Sequence, residues 1–435
     1  MQSVFRMDEK RLLSLVVLLA AMTSVVMYLN LSDNSNVTYH VIDLEEEDQP
    51  ELDQPMTYVA YDMPPSPAVV QRDMRHYLCI LQTNVVYIYA PAADSGILHC
   101  ILTRFGYLKD LFVTIPVNKR DPTKSRGYED VRSTQYLRPS GVTSPLRVYR
   151  EETIHVFAQP AQYDREAMAK MFPENARYIT MLRRPIHRFA ADFVYSRLDK
   201  HFNTTAEADS PKNYLDNPEY WESQKTTSYC TRNCMSAVLG FPLDETKDIR
   251  DTQAAMDVIK QLDKDFSLVL FYEYLDQSLV LLKRHMCWGV TDIMYYLGST
   301  HLRMPSEETL ARLSTKEHIR NFRRVNSIDY LVYDYFNQTF WKRIKAEGED
   351  FHKEVQNFQN IQKEVAKYCR VAVGDWNSAN KTVIARSSWN EQFDFTRKMC
   401  YAFGREKQEW GDLLNERYFT AKRRPYKLSL PKLKV

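Results

Sequence analysis

The chain has 435 residues, 26% of them charged and 44% hydrophobic, and a formal net charge of +2. That near balance gives no case for a nucleic-acid partner, and by itself it excludes no other class. Seven cysteines fit an oxidising compartment in which some pair, and their odd number leaves at least one outside any intrachain pair.

Leu12 to Leu29 carries no charged residue, with Arg6, Lys10 and Arg11 before it and Asn30, Ser32 and Asp33 after it. Positive flanks stay cytosolic, so residues 12–29 are expected to form a transmembrane signal anchor behind a cytosolic tail, 1–11. At ~1.5 Å per residue the run covers ~27 Å, which suits the thinner bilayers of the early secretory pathway. It exceeds the ~7–15-residue apolar core of a cleaved signal peptide, and no small-x-small cleavage site follows. The expected location is the Golgi membrane, single-pass type II, with the rest of the chain lumenal. Residues 30–74, with an acidic run from Asp43 to Asp53, read as an extended stem. Asn-x-Ser/Thr sequons at Asn36, Asn203, Asn337 and Asn380 agree with a lumenal domain, while one at Asn30 sits close to the membrane. Lys422, Arg423, Arg424, Lys427, Lys432 and Lys434 make the tail basic, which reads first as a solvated end.

Residues 75–435 show no Gly/Ser linker, repeat or low-complexity stretch, so they read as one domain. Val85 to Ala90 is a strand-like run, followed by P-A-A-D-S-G and a helix with Ile97, Leu98, Ile101, Leu102 and Phe105 on one face. The pattern recurs at Ile154 to Ala158, with Asp164 placed to cap a helix. It recurs at Arg177 to Leu182, with Pro185 in the first turn of the next helix, and at Ser267 to Tyr272, with Asp276 as the expected cap. Four strand-to-helix units predict an α/β protein with an open parallel sheet flanked by helices, and residues 307–368 predict a helical C-terminal part. Cys230 and Cys234 lack a second Cys/His pair at zinc spacing, so a disulfide or buried thiol is expected there and no metal site.

Ligands of such sheets bind beyond the carboxyl ends of the strands, with anions at the amino-termini of the following helices. Two loops qualify. Ser95 and Gly96 offer backbone N–H groups in the first. In the second, Arg183 and Arg184 stand at a helix start, and the planar arginine fork matches phosphate.

Four stretches resemble the galactose-3-O-sulfotransferase family, which includes galactosylceramide sulfotransferase. F-S-L-V-L-F-Y-E-Y-L-D-Q-S-L-V-L-L-K-R-H-M-C-W (266–288) is similar to its L-V-L-x-x-E-Y-x-D-E-S-L-V-L-L run. A-R-Y-I-T-M-L-R-R-P-I-H-R-F (176–189), I-L-T-R-F (101–105) and the stretch from Asp329 to Trp341 agree as well. The resemblance implies a sulfotransferase fold in a type II Golgi enzyme. It also implies sulfuryl transfer from PAPS to the 3-hydroxyl of galactose on a glycolipid or glycan, with no metal. Ser95, Gly96 and Arg183 are the expected donor-binding residues, the first two from their place in the loop and Arg183 also by the resemblance.

The chain departs from the family pattern where chemistry is expected. The family's H-K-T falls on Pro91, Ala92 and Ala93, and a further lysine on Tyr89; residues 85–103 contain no lysine. Ala191 stands where the family has a serine for the 3′-phosphate, and Gln159 and Pro160 stand in place of Asn-His. His99, His155 and His187 read as structural, so no catalytic residue is assigned. Deleting one transition-state donor typically lowers kcat by ~10²–10³. Transfer is therefore expected to be weak or absent, with a non-catalytic lumenal binding or regulatory protein as the alternative. A glycosyltransferase reading of D-K-D at Asp263 to Asp265 is weaker, because those residues precede a strand instead of following one.

Overall fold

Four runs of aliphatic and β-branched residues make the centre of the protein: β1 (Val85–Ile88), β2 (Val156–Phe157), β3 (Arg177–Leu182) and β4 (Leu268–Phe271). In this computed structural model they pair in parallel in the order β2-β1-β3-β4. Helical crossovers cover a parallel sheet on both faces, so its strands are continuously apolar, and every residue of β1, β2 and β4 is buried. Each fully buried Val, Leu or Ile contributes ~1.5–3 kcal/mol.

The structure describes residues 79–89, 96–114, 154–159, 161–195, 198, 202, 211–225, 230–241, 252–296, 305–374 and 380–422, all within one unit, Val69–Val435. The expected anchor (12–29), the stem, the loop from Pro91 to Ser95, Pro160, Asn36, Asn203 and the tail beyond Lys422 lie outside them. Among the described residues no helix is long and apolar enough to cross a membrane.

The helices between the strands are α1 (Ile97–Leu108), α2 (Arg165–Ala169), α3 (Pro185–Tyr195), α4 (Pro211–Asp216), α5 (Pro218–Gln224), α6 (Cys234–Val238) and α7 (Thr252–Asp265). After β4 come α8 (Leu275–Met286), α9 (Val290–Ile293), α10 (Glu307–Leu313), α11 (Lys316–Val325), α12 (Ser327–Glu347) and α13 (Glu349–Gly374). The expected strand-to-helix units are present, with strands two or three residues shorter than the apolar runs except at β3, which matches. The expected helical stretch is α10 to α13. A short antiparallel pair, β5 (Lys381–Ile384) and β6 (Phe393–Thr396), and helices α14 (Arg397–Phe403) and α15 (Lys407–Lys422) complete the described chain.

Asp164 caps α2 as expected, accepting from the Ala167 N–H at 3.0 Å. Asp276 does not cap α8. A 3₁₀ turn, Tyr272–Tyr274, runs directly into that helix, so Tyr274 is its N-cap and Asp276 falls in the first turn. Its carboxylate instead accepts from the Tyr295 hydroxyl at 3.1 Å and Gln359 Nε2 at 3.0 Å. The motif serine Ser278 is structural too: its hydroxyl donates to the Phe271 carbonyl and accepts from the Phe271 N–H, each at 2.9 Å. That double bond pins α8 to the end of β4.

Disulfides join Cys79 to Cys287, Cys230 to Cys234 and Cys369 to Cys400. The first ties the approach to β1 to the end of α8, and the third ties α13 to α14. Cys100 belongs to none of them. Of the sequons described, Asn380 is exposed, whereas Asn337 lies inside α12 with its Oδ1 enclosed.

Candidate functional site

Strand order places the site. The chain leaves β1 for β2 on one side and returns as β3 on the other, so β1 is the topological switch point, where open sheets form a crevice at their carboxyl ends. Ile88 pairs with Thr180 and Leu182 with Phe271, so the residues following these strands converge on one edge. The Thr180 hydroxyl donates across the edge to the Ile88 carbonyl at 2.8 Å.

Gly96, one expected donor-site residue, is the N-cap of α1 with φ +86°, a left-handed conformation that costs glycine little. Ser95 lies outside the described residues. Arg183 follows β3 and is 3% exposed. Its guanidinium carbon lies 4.5 Å from the centroid of the Tyr272 ring, which follows β4 in matching register. One residue on, the Arg184 N–H donates to Glu273 Oε1 at 2.6 Å. Burial opposes the Arg184 charge, yet Tyr333 and Glu273 outweigh it and raise its pKa. Burial raises the pKa of the Glu273 carboxyl, against the pull of the Arg184 N–H bond and both arginines, and its Oε2 is enclosed with no hydrogen-bond partner among the described residues. The second loop is thus a cationic pair braced by one buried carboxyl.

Sequence reasoning missed the cation at the first loop. Lys407, the first residue of α15, places Nζ 3.1 Å from the Tyr89 hydroxyl and 4.4 Å from the Tyr89 ring centroid. A Cβ at Gly96 would overlap the Lys407 side chain and lie 2.9 Å from its Nζ. An ammonium from the C-terminal helix therefore reaches the α1 N-terminus, although the loop itself has no lysine.

The histidines are occupied elsewhere. His99 is 2% exposed and its Nδ1 donates to the Ala158 carbonyl at 2.6 Å. Burial, then nearby Lys407, lowers its pKa from 6.5 to about 3 despite that bond. His187 Nε2 meets the Ser314 hydroxyl at 3.0 Å, and burial together with Arg184 and Arg183 lowers its pKa to about 3. His155 Nδ1 accepts from the Phe112 N–H at 3.3 Å, and burial lowers its pKa. Each ring is held neutral by packing. The unfolded chain protonates His99 near pH 6.5 and the folded protein only near pH 3, so the stability of the neutral ring is complete above 6.5 and lost as pH falls toward 3. Going from neutral pH to about pH 4.5, the protein is expected to lose ~2 kcal/mol more than His99→Gln. Urea midpoints at the two pH values check this, and parallel losses would contradict it.

Other candidates lie off the edge. Arg104 donates to the Asp292 and Met294 carbonyls at 3.0 and 2.5 Å and covers the Phe403 ring, so it anchors α9 and α14. Gln159 donates to the Thr114 carbonyl at 2.6 Å, and Ala191, 1% exposed, supplies no hydroxyl. Asp263 accepts from the Tyr335 hydroxyl and Asp265 from that of Tyr163, at the amino end of β4. A cleft of about 460 Å³ lined by Tyr163, Asp164, Gln261 and Asp265 lies at that same end, away from the arginines. Among the described residues no three His, Cys, Asp or Glu side chains group to hold a metal ion.

The sequence pattern of the galactose-3-O-sulfotransferase family matches residues 1–387. The chain belongs to that family. Galactose-3-O-sulfotransferase 3 of Mus musculus is 31% identical over 199 residues, 45% of this chain and 44% of that protein. Galactose-3-O-sulfotransferase 2 of Homo sapiens is 26% identical over 293 residues, 66% of this chain and 68% of that protein. Galactosylceramide sulfotransferase of Homo sapiens is 26% identical over 295 residues, 67% and 65% respectively. The chain thus spans less than half the length of the first relative and about two thirds of the other two. Arg183, Arg184 and Glu273 lie within the stretch matched to the galactose-3-O-sulfotransferases, whereas Lys407 lies beyond it.

Proposed function

We propose that this chain is a PAPS-dependent sulfotransferase of the Golgi lumen, anchored by residues 12–29, acting on the 3-hydroxyl of galactose in a glycolipid or glycan. The family match over residues 1–387 carries this reading, supported by Arg183 and Arg184 following β3 and Gly96 opening the helix after β1. Three disulfides fit an oxidising lumen. In the reaction the galactose oxygen bonds to sulfur and the bond from sulfur to the 5′-phosphate oxygen breaks. The hydroxyl proton passes to a base or to water, and adenosine 3′,5′-bisphosphate leaves. The α1 N-terminus suits the 5′-phosphosulfate, and the Arg183 fork suits the 3′-phosphate.

Pro91 stands where the family has its histidine, and positioned acid–base groups typically contribute ~10²–10⁴-fold. Full-length protein in detergent is therefore expected to transfer label from PAPS to galactosylceramide or lactosylceramide, at least ~10²-fold more slowly than the human galactosylceramide sulfotransferase. Absence of transfer to both lipids would overturn the enzymatic reading. The same substitution favours a second reading, a lumenal protein that binds the nucleotide without reaction; tight nucleotide binding with no transfer would select it.

A further inference from the structure

We propose that Glu273 is a positioning residue for the 3′-phosphate end of the donor: its carboxylate fixes the loop that carries Arg183 and Arg184, and its negative charge limits how tightly that loop holds the nucleotide. This deepens the proposed use of PAPS and rests on it.

The ends of β3 and β4, together with α12, bring the carboxylate to the arginines. Leu182 pairs with Phe271 across the two strands, so two residues on Arg184 meets Glu273, and the Arg184 N–H donates to Oε1 at 2.6 Å. The 3₁₀ turn that carries Glu273, Tyr272–Tyr274, is fixed on both sides. Ahead of it, Phe271 is bonded to Ser278 through both backbone groups and packs on Tyr333 and Phe340, with ring centroids 5.2 and 5.3 Å away. Behind it, Tyr274 packs edge-on to Trp341 at 4.8 Å. The rings of α12 therefore clamp the turn.

The hydrogen bond accounts for an acceptor at this position but not for a charge. A glutamine carbonyl would receive the Arg184 N–H equally well. Glu273 Oε2, by contrast, is enclosed with no hydrogen-bond partner among the described residues, an arrangement that costs stability. What it meets is the positive charge of both arginines. Of the other groups near Arg184, Tyr274 and Tyr333 offer hydroxyls, Asp334 of α12 accepts from Arg323 at 2.8 Å, and burial with the two arginines keeps His187 of α3 neutral. Like charges repel strongly away from bulk water, so a phosphate held at Arg183 is held against the field of Glu273. PAPS and adenosine 3′,5′-bisphosphate share the 3′-phosphate, so the same field eases departure of the spent nucleotide.

The test is calorimetric titration of the full-length protein, near neutral pH, with adenosine 3′,5′-bisphosphate and with adenosine 5′-monophosphate, which lacks the 3′ group. Glu273→Gln keeps the shape and the bond to Arg184, and is expected to tighten the bisphosphate by about 5-fold or more while leaving the monophosphate within about 2-fold. Glu273→Asp keeps the charge and should bind the bisphosphate no more tightly than the parent. A gain in affinity does not arise from a damaged fold, so the sign of the change separates this role from a merely structural one. Unchanged or weakened bisphosphate binding in Glu273→Gln would overturn the assignment and leave the donor reading standing. An equal gain in Glu273→Asp, or for the monophosphate, would likewise refute a charge acting at the 3′ end. Failure of the unaltered protein to bind the bisphosphate would overturn the donor reading and this proposal together.

Discussion

Replacing Asp329 by alanine is expected to lower the folding free energy by about 3–5 kcal/mol, the largest stability effect among the motif residues. Asp329 is fully buried and serves α6 from a different helix. Its Oδ1 accepts from the Ser236 N–H at 2.8 Å and hydroxyl at 2.6 Å, and its Oδ2 accepts from the Met235 N–H at 3.2 Å. Asn233, the N-cap of α6, makes no side-chain cap bond to its own helix, so Asp329 fills that role. Asn233 Oδ1 in return accepts from the Ile328 and Asp329 N–H groups at 3.1 and 3.2 Å, at the start of α12. Each helix start is thus capped by the other. Alanine would strand buried donors at ~1–3 kcal/mol each and remove a negative charge near buried Arg188. Asp329→Asn keeps one acceptor oxygen and should fall between the two. Urea midpoints at constant slope check the order, and an alanine variant as stable as the parent would contradict it.

Arg183→Ala is expected to weaken adenosine 3′,5′-bisphosphate binding by about 10- to 100-fold, the effect of losing a hydrogen-bonded charge at ~1.5–3 kcal/mol. The side chain is almost fully enclosed, stacked on Tyr272, and the neighbouring Arg184 is braced by Glu273. A pre-positioned guanidinium loses little side-chain freedom when phosphate arrives, so little of its interaction is offset. Arg183→Lys keeps the charge but not the planar fork, and should recover only part of the affinity. Arg183→Ala should weaken adenosine 3′-monophosphate as well. If it spared that nucleotide, the 3′-phosphate assignment would be wrong.

The sheet was legible because β1, β2 and β4 are wholly buried, so each appears as an unbroken apolar run, and because helix signals such as Asp164 and Pro185 are local. Asp276 misled for the same reason: a cap is a local inference, and a 3₁₀ turn removed the extended residue that it needs. The short β5–β6 pair carries no strong alternation, and neither strand is fully buried. The position of Arg183 at the carboxyl end of β3 was legible from the apolar run before it and from Pro185 two residues on. Lys407 was not, because it lies outside the motifs, in R-E-K-Q-E-W, and only the path of α15 along α1 brings it to Tyr89.

The most direct measurement is the melting temperature of the purified full-length protein against rising adenosine 3′,5′-bisphosphate. Ligand at about 100 times its Kd should stabilise the fold by ~2.7 kcal/mol, with the shift still growing at higher concentration. A melting temperature that stays constant up to millimolar nucleotide would contradict the claim that this sheet edge holds a sulfate donor.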